Sequence, residues 1–255
     1  MNANKLIYIL VFLVFIFSCK NKEAKIAEVN RNIQILKNYH YAPNETINPI
    51  ELSEKTANLI VDLTNNENYK IENFAGLELN VEVKNKVKIY SFGFDGGGTG
   101  GSVFYSIIQW NHNKRRYTFR FSNVLNYKFD KIIVLKNDLY LLIGHDAGSI
   151  YQSLAYVVEI KNDTINLDYA AFINRPYLVF NNGEFIFNEK TKVLSFIFNE
   201  GYHDDLNTVF YSNEYGKFKN DTITAKKLKE MIEEQYYKDN RFHLVFNDKT
   251  FITKL

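Results

Sequence analysis

The 255-residue chain has one cysteine, Cys19, which excludes an internal disulfide and a cysteine-built zinc site. Proline is almost as scarce, at three residues, and no Ser- or Gly-rich tract follows residue 102, so nothing in the composition marks an interdomain linker. The apolar run from Leu6 to Phe17 is twelve residues long, short of the roughly 17 to 25 that a membrane-spanning helix needs. Charge of one sign is missing as well. With 31 Lys and Arg against 29 Asp and Glu, the chain lacks the broad basic surface that nucleic-acid binding requires, and no nucleic-acid partner is expected.

What is present is material for a core: 46% of residues are hydrophobic and 16% aromatic. The short apolar run has the length of a signal-peptide core, about 7 to 15 residues, and follows a single charge, Lys5. Residues 1–18 are therefore read as a signal peptide and set aside from the fold. The run ends at Ile16-Phe17-Ser18-Cys19, which resembles a bacterial lipobox. That resemblance implies cleavage before Cys19, acylation of its sulfur and a membrane held through N-terminal lipid, since each buried methylene adds about 0.8 kcal/mol to anchoring. Lys20 is not the aspartate that retains some lipoproteins at the inner membrane, and KNKE is not an acidic surface-export run. The expected location is the outer membrane, facing the periplasm.

Two helices come first. In residues 24–40 the apolar positions Ile26, Val29, Ile33 and Leu36 recur at intervals of three and four. A second helix is announced by Asn48 as cap, Pro49 at the first position and Glu51 three residues after the cap, with Leu52, Thr56, Leu59, Ile60 and Leu63 as its stripe. From about residue 77 the period becomes that of strands broken by Asn-rich turns. One late helix is expected near 225–237, with Leu228, Met231, Ile232 and Tyr236 on a face, and a hairpin over RFHLVF-NDK-TFITKL closes the chain. The division is thus 1–18, a helical segment with anchor and tether over 19–76, and a β-rich domain over 77–255.

Three segments share a layout of strand, polar loop, strand, turn, strand. They begin at Tyr90, Tyr140 and Leu194, 50 and 54 residues apart, and KNDTI occurs at 161–165 and again at 219–223. Such a period suggests propeller blades, but a closed propeller typically has four to eight. The fold expected is α+β: a mostly antiparallel twisted sheet or sandwich with N-terminal helices and one late helix, an incomplete propeller-like β repeat being the alternative.

Six of the twelve glycines fall between Gly93 and Gly101, and Gly96, Gly98 and Gly101 fit the dinucleotide pattern G-x-G-x-x-G. That chemistry needs a helix directly after the glycines and an acid about 20 residues on. The following SVFYSIIQW reads as a strand, and no acid lies between Asp95 and Asp130. A P-loop fails too, because no lysine separates Gly101 from Ser102. The glycines are read as a wide hairpin loop, and Asp95, Gly97, Gly98 and Thr99, with Trp110 as a stacking surface, are the candidate ligand-binding residues.

No histidine pair has the helical spacing of a zinc site. If the three first loops leave one edge, Asp95, His145, Asp146, Glu200, His203, Asp204 and Asp205 could converge. Asp95, His145, Asp146, His203 and Asp205 form the candidate set for calcium, manganese or zinc. Ser149 near His145 lacks the context of a nucleophile. NHNKRR at 111–116 is a local basic turn, read as the solvated tip of a hairpin.

From Ile89-Tyr90-Ser91 through the Gly-Gly-Thr loop to Tyr105-Ser106, Gln109 and Trp110, the chain resembles uncharacterised Bacteroidota lipoproteins. The resemblance implies the anchor and carries no activity. The function expected is that of a noncatalytic, lipid-anchored envelope module for a glycan, peptide or protein. The alternatives are a metal-dependent hydrolase using the loop acids and histidines, and an inhibitor or immunity lipoprotein.

Overall fold

The structure, a computed structural model, describes residues 21–39, 47–83, 86–95, 102–121, 127–146, 152–172, 176–181, 183–198 and 241–253. The chain is α+β; among the described residues are two α-helices and three antiparallel sheets, none of them closed. The late helix expected near 225–237 lies outside the described residues.

Helix α1 covers 21–37 and α2 Pro49–Asn65. Their starts and stripes follow from local chemistry. Asn48 Oδ1 accepts from the backbone of Ile50 at 3.1 Å and Glu51 at 3.4 Å, and Pro49 occupies a position where no amide bond is lost. Val29, Ile33 and Leu36 of α1 and Ala57, Ile60 and Leu63 of α2 are buried, whereas Leu52 and Leu59 are only partly so. Thr56 and Thr64 tolerate burial because their hydroxyls donate back to the carbonyls of Leu52 and Ile60. The helices run antiparallel: Lys25 pairs with Asp62 and Lys55 with Glu28.

The first sheet is a meander of β1 (Glu78–Val83), β2 (Val87–Asp95), β3 (Ser102–His112) and β4 (Arg115–Arg120). The second contains β5 (Tyr127–Lys136), β6 (Leu139–Asp146), β7 (Gln152–Lys161) and the short β8 (Thr164–Asn166), with β9 (Tyr177–Asn181) also on β7. The third contains β10 (Gly183–Asn188), β11 (Val193–Phe198), β12 (Arg241–Phe246) and β13 (Phe251–Thr253). The first strands of the three segments that share a layout fall in three different sheets, at β2, β6 and β11; the third segment from residue 199 onward lies outside the described residues.

Alternation along the strands builds the layers. Tyr90, Phe92 and Phe94 of β2 face the helices, while Val87 and Ile89 face the second sheet. On β6, Tyr140 and Leu142 meet the first sheet, and Leu139, Leu141 and Ile143 meet the third. The middle sheet is thus buried on both faces, and the order of layers is helices, first sheet, second sheet, third sheet. On the far side of the middle sheet, Phe180, Phe185 and Phe196 interlock with ring centroids 4.9 to 5.7 Å apart.

In the third sheet β11 lies between β10 and β12, so the closing hairpin pairs with it directly.

Candidate functional site

Hairpin connections divide the stack into two ends. At one, β2 and β3 part at Asp95 and Ser102, β6 and β7 at His145 and Ser153, and β11 and β12 at Ile197 and Arg241. These strand ends lead into residues 96–101, 147–151 and 199–240. At the other end β1 and β2 part at Val83 and Val87, and the strands are joined by turns at 113–114, 137–138, 162–163, 189–192 and 247–250. Contacts between sheets bring like ends together. Trp110 Nε1 donates to the Asn162 carbonyl at 2.8 Å, joining the turn ends of the first two sheets. Ser153 Oγ donates to the Gly183 carbonyl at 2.6 Å, joining the loop ends of the second and third.

The strand ends that carry Asp95, His145 and Asp146 therefore share one end of the molecule. There His145 Nδ1 and Asp130 Oδ2 lie 2.5 Å apart, both partly exposed. Asp130 was not foreseen: its place across from His145 depends on a register shift in β5 between Phe129 and Lys131. Asp146 is half-buried beside Tyr127, and its charge adds to the burial that raises the Tyr127 hydroxyl pKa. Among the described residues no group of three or more His, Cys, Asp and Glu is placed to hold a metal ion. Gly97, Gly98, Thr99, His203 and Asp205 lie outside the described residues, as does Cys19.

Trp110 does not belong with Asp95. It pairs with Val87 at the turn end, eight residues along the hairpin from Asp95, about 26 Å at roughly 3.3 Å per residue. Its ring is 4% exposed and stacks on Tyr117 at 5.7 Å, and its N–H is committed to Asn162. It closes the core between two sheets rather than offering a stacking surface. Immediately after the glycines comes β3, a strand of eleven residues and not the helix that a dinucleotide site requires.

A pocket opens instead at the turn end. Thr64, Asn65 and Asn68, from the last turn of α2 and just beyond, and Lys114, Arg115 and Arg116, from the β3–β4 hairpin, line about 400 Å³. Asn113 and Lys114 both have positive φ, at 49° and 63°, and their tight turn presents the cations. Arg115 lies over the Tyr117 ring at 5.4 Å, and Arg116 Nη2 donates to Asn68 Oδ1 at 3.4 Å. Arg116 also lies 4.0 Å from Glu72 Oε2. Three cations beside side-chain amides suit a phosphate- or carboxylate-bearing group. NHNKRR was legible as basic, but its neighbours on α2 lie some fifty residues away in sequence.

No protein family, curated protein or solved structure matches this chain.

Proposed function

We propose that this chain is a lipid-anchored protein of the cell envelope, held in the outer membrane through Cys19 and facing the periplasm. In this reading it is a noncatalytic binding module, and the strand ends that carry Asp95, His145 and Asp146 form the edge offered to a glycan, peptide or protein. The observation that supports it is the opposition of two ends. Lys22 near the start of α1 donates to the Glu67 carbonyl at 2.8 Å, beyond the C-terminal end of α2, and so lies beside the turns. Residue 19 is three positions earlier, within about 11 Å of chain. A tether there leaves the loop-bearing end turned away from the bilayer, where a partner has access.

Two measurements test this. Mass analysis of the N-terminal peptide from envelope-expressed protein is expected to show acylated Cys19, and Cys19→Ala to leave the leader attached and unacylated; an unmodified thiol on an uncleaved chain removes the anchor. A photo-cross-linking side chain at Thr99 of the anchored protein is expected to capture an envelope component that the same group at Lys190 does not. Equal capture at both positions overturns the assignment of the binding edge.

A further inference from the structure

The near-zero total charge conceals a basic cluster at the turn end. Counting each tight turn with the strand residue on either side, the first sheet contributes Lys86, Lys114 and Arg115 to the turn end. The second contributes Lys136 and Lys161, and the third Lys190, Lys192 and Lys249. Against these eight cations stand four acids among the described residues, Asp138, Asp163, Glu189 and Asp248. Lys161 pairs with Glu159; among the described residues the other seven make no ion pair. Seven of the eight cations, all but Lys192, are exposed. The pocket bearing Arg116 opens at this same end.

The start of α1 lies here too. Lys22 Nζ ends on the carbonyl of Glu67 and Arg116 Nη2 on the side chain of Asn68, so α1 and the basic hairpin converge on consecutive residues. Lys22 also stands over the Tyr69 ring at 5.8 Å, and Lys25 holds Asp62 and Glu67, which fixes the direction in which α1 leaves. Residue 19, three positions before Lys22, lies within about 11 Å of chain from this end.

We propose that the turn end is a membrane-docking face, in which the turn lysines and the Thr64–Arg116 pocket bind the phosphate groups of anionic phospholipids in the membrane that holds the anchor. The proposal rests on the lipid-anchor reading and adds to it an orientation, strands upright on the bilayer. Charge complementarity argues for it. A lysine or arginine near an anionic surface contributes about 1 kcal/mol, a factor of about five in partition. The pocket volume admits a phosphodiester headgroup.

The test uses the chain from residue 19 with Cys19→Ser, so that neither leader nor lipid contributes, in co-sedimentation with phosphatidylcholine vesicles with or without phosphatidylglycerol. Binding is expected only to the anionic vesicles and to weaken with salt. Lys114→Gln, Arg115→Gln and Lys190→Gln together are expected to reduce it on the order of a hundredfold without shifting the melting temperature. Lys37→Gln, Lys55→Gln and Lys131→Gln, the same charge change elsewhere, are expected to leave it nearly intact. Equal loss in both triple variants, or no preference for anionic vesicles, overturns the proposal. Glycerol phosphate is the soluble probe, and a melting shift with it in the absence of vesicle binding overturns it in favour of a free phosphate ester. Because the probe carries no lipid, the result stands or falls separately from acylation at Cys19.

Discussion

The carboxamide of Asn65, at the last position of α2, bonds both backbone groups of Thr118: Nδ2 donates to the carbonyl and Oδ1 accepts from the amide, each at 2.8 Å. The side chain thereby stands in for a neighbouring strand on the free edge of β4 and ties the helix layer to the first sheet.

Asn65→Ala is expected to lower unfolding free energy by about 2 kcal/mol, two modest hydrogen bonds together with exposed polar partners. Asn65→Asp separates the two bonds. Its carboxylate faces the Thr118 carbonyl, so its deficit relative to the parent is expected to shrink as pH falls through about 4, where the protonated acid regains a donor. Denaturant titrations at pH 7 and pH 3.5 measure both. A deficit independent of pH contradicts the bidentate pairing.

Phe196 is fully buried, with Phe180 and Phe185 each 4.9 Å away by ring centroid. Phe196→Ala is expected to cost about 3 to 5 kcal/mol, through lost burial and the cavity left between the second and third sheets. Phe119→Ala, at a ring 37% exposed on β4, is expected to cost well under half as much. Thermal melts compare them, and equal losses argue against the layered core.

A Cβ on Gly144 would meet the Lys128 carbonyl oxygen at 2.5 Å, beside the register shift of β5 that positions Asp130. Backbone is the obstacle, so Gly144→Ala is expected to destabilise by about 2 kcal/mol or more and to loosen the His145–Asp130 pair. The second effect is read from the His145 side-chain NMR chemical shifts at one fixed pH, which should then approach those of Asp130→Asn. Unchanged chemical shifts remove the link between the glycine and the pair.

Tyr156 donates to the Leu167 carbonyl at 2.7 Å and Tyr127 to Gln152 Oε1 at 2.7 Å, and burial raises the pKa of both hydroxyls well above the usual tyrosine value. Tyr90, donating to Glu72, is raised first by burial and then by that carboxylate. Unfolding frees each hydroxyl to ionise near pH 10. The folded state retains the protons, so the stability they contribute is present below that pH and lost above it. Melting temperature is expected to fall steeply from pH 10 upward, and Tyr156→Phe to flatten part of that fall. A phenolate absorbance titrating fully near pH 10 without unfolding contradicts these environments.

The helix stripes, the Asn48 cap and the strand that follows the glycines were legible because each is fixed by neighbours a few residues apart. So was the repeat. KND recurs at 136–138 and 161–163 because both are tight turns in which the asparagine takes positive φ. The partner of β11 was not legible, since strand pairing across more than forty residues leaves no local signature. Trp110 was misjudged as a surface for the same reason: alternation shows that one face of a strand is buried, but not that the other meets a further sheet. Asp130 beside His145 depends on a register shift, and a shift is visible only in the ladder.

Taken by itself, the order of residues determined the two helices, the strands and turns of the described residues, and the lone cysteine after an apolar run. Tertiary packing alone decided that the sheets stack with like ends together, which gathers scattered turn lysines beside the start of α1 and sends the loop-bearing strands the opposite way. Periodicity and turn chemistry act over a few residues, whereas the charge of a face is a sum over segments that only folding makes neighbours.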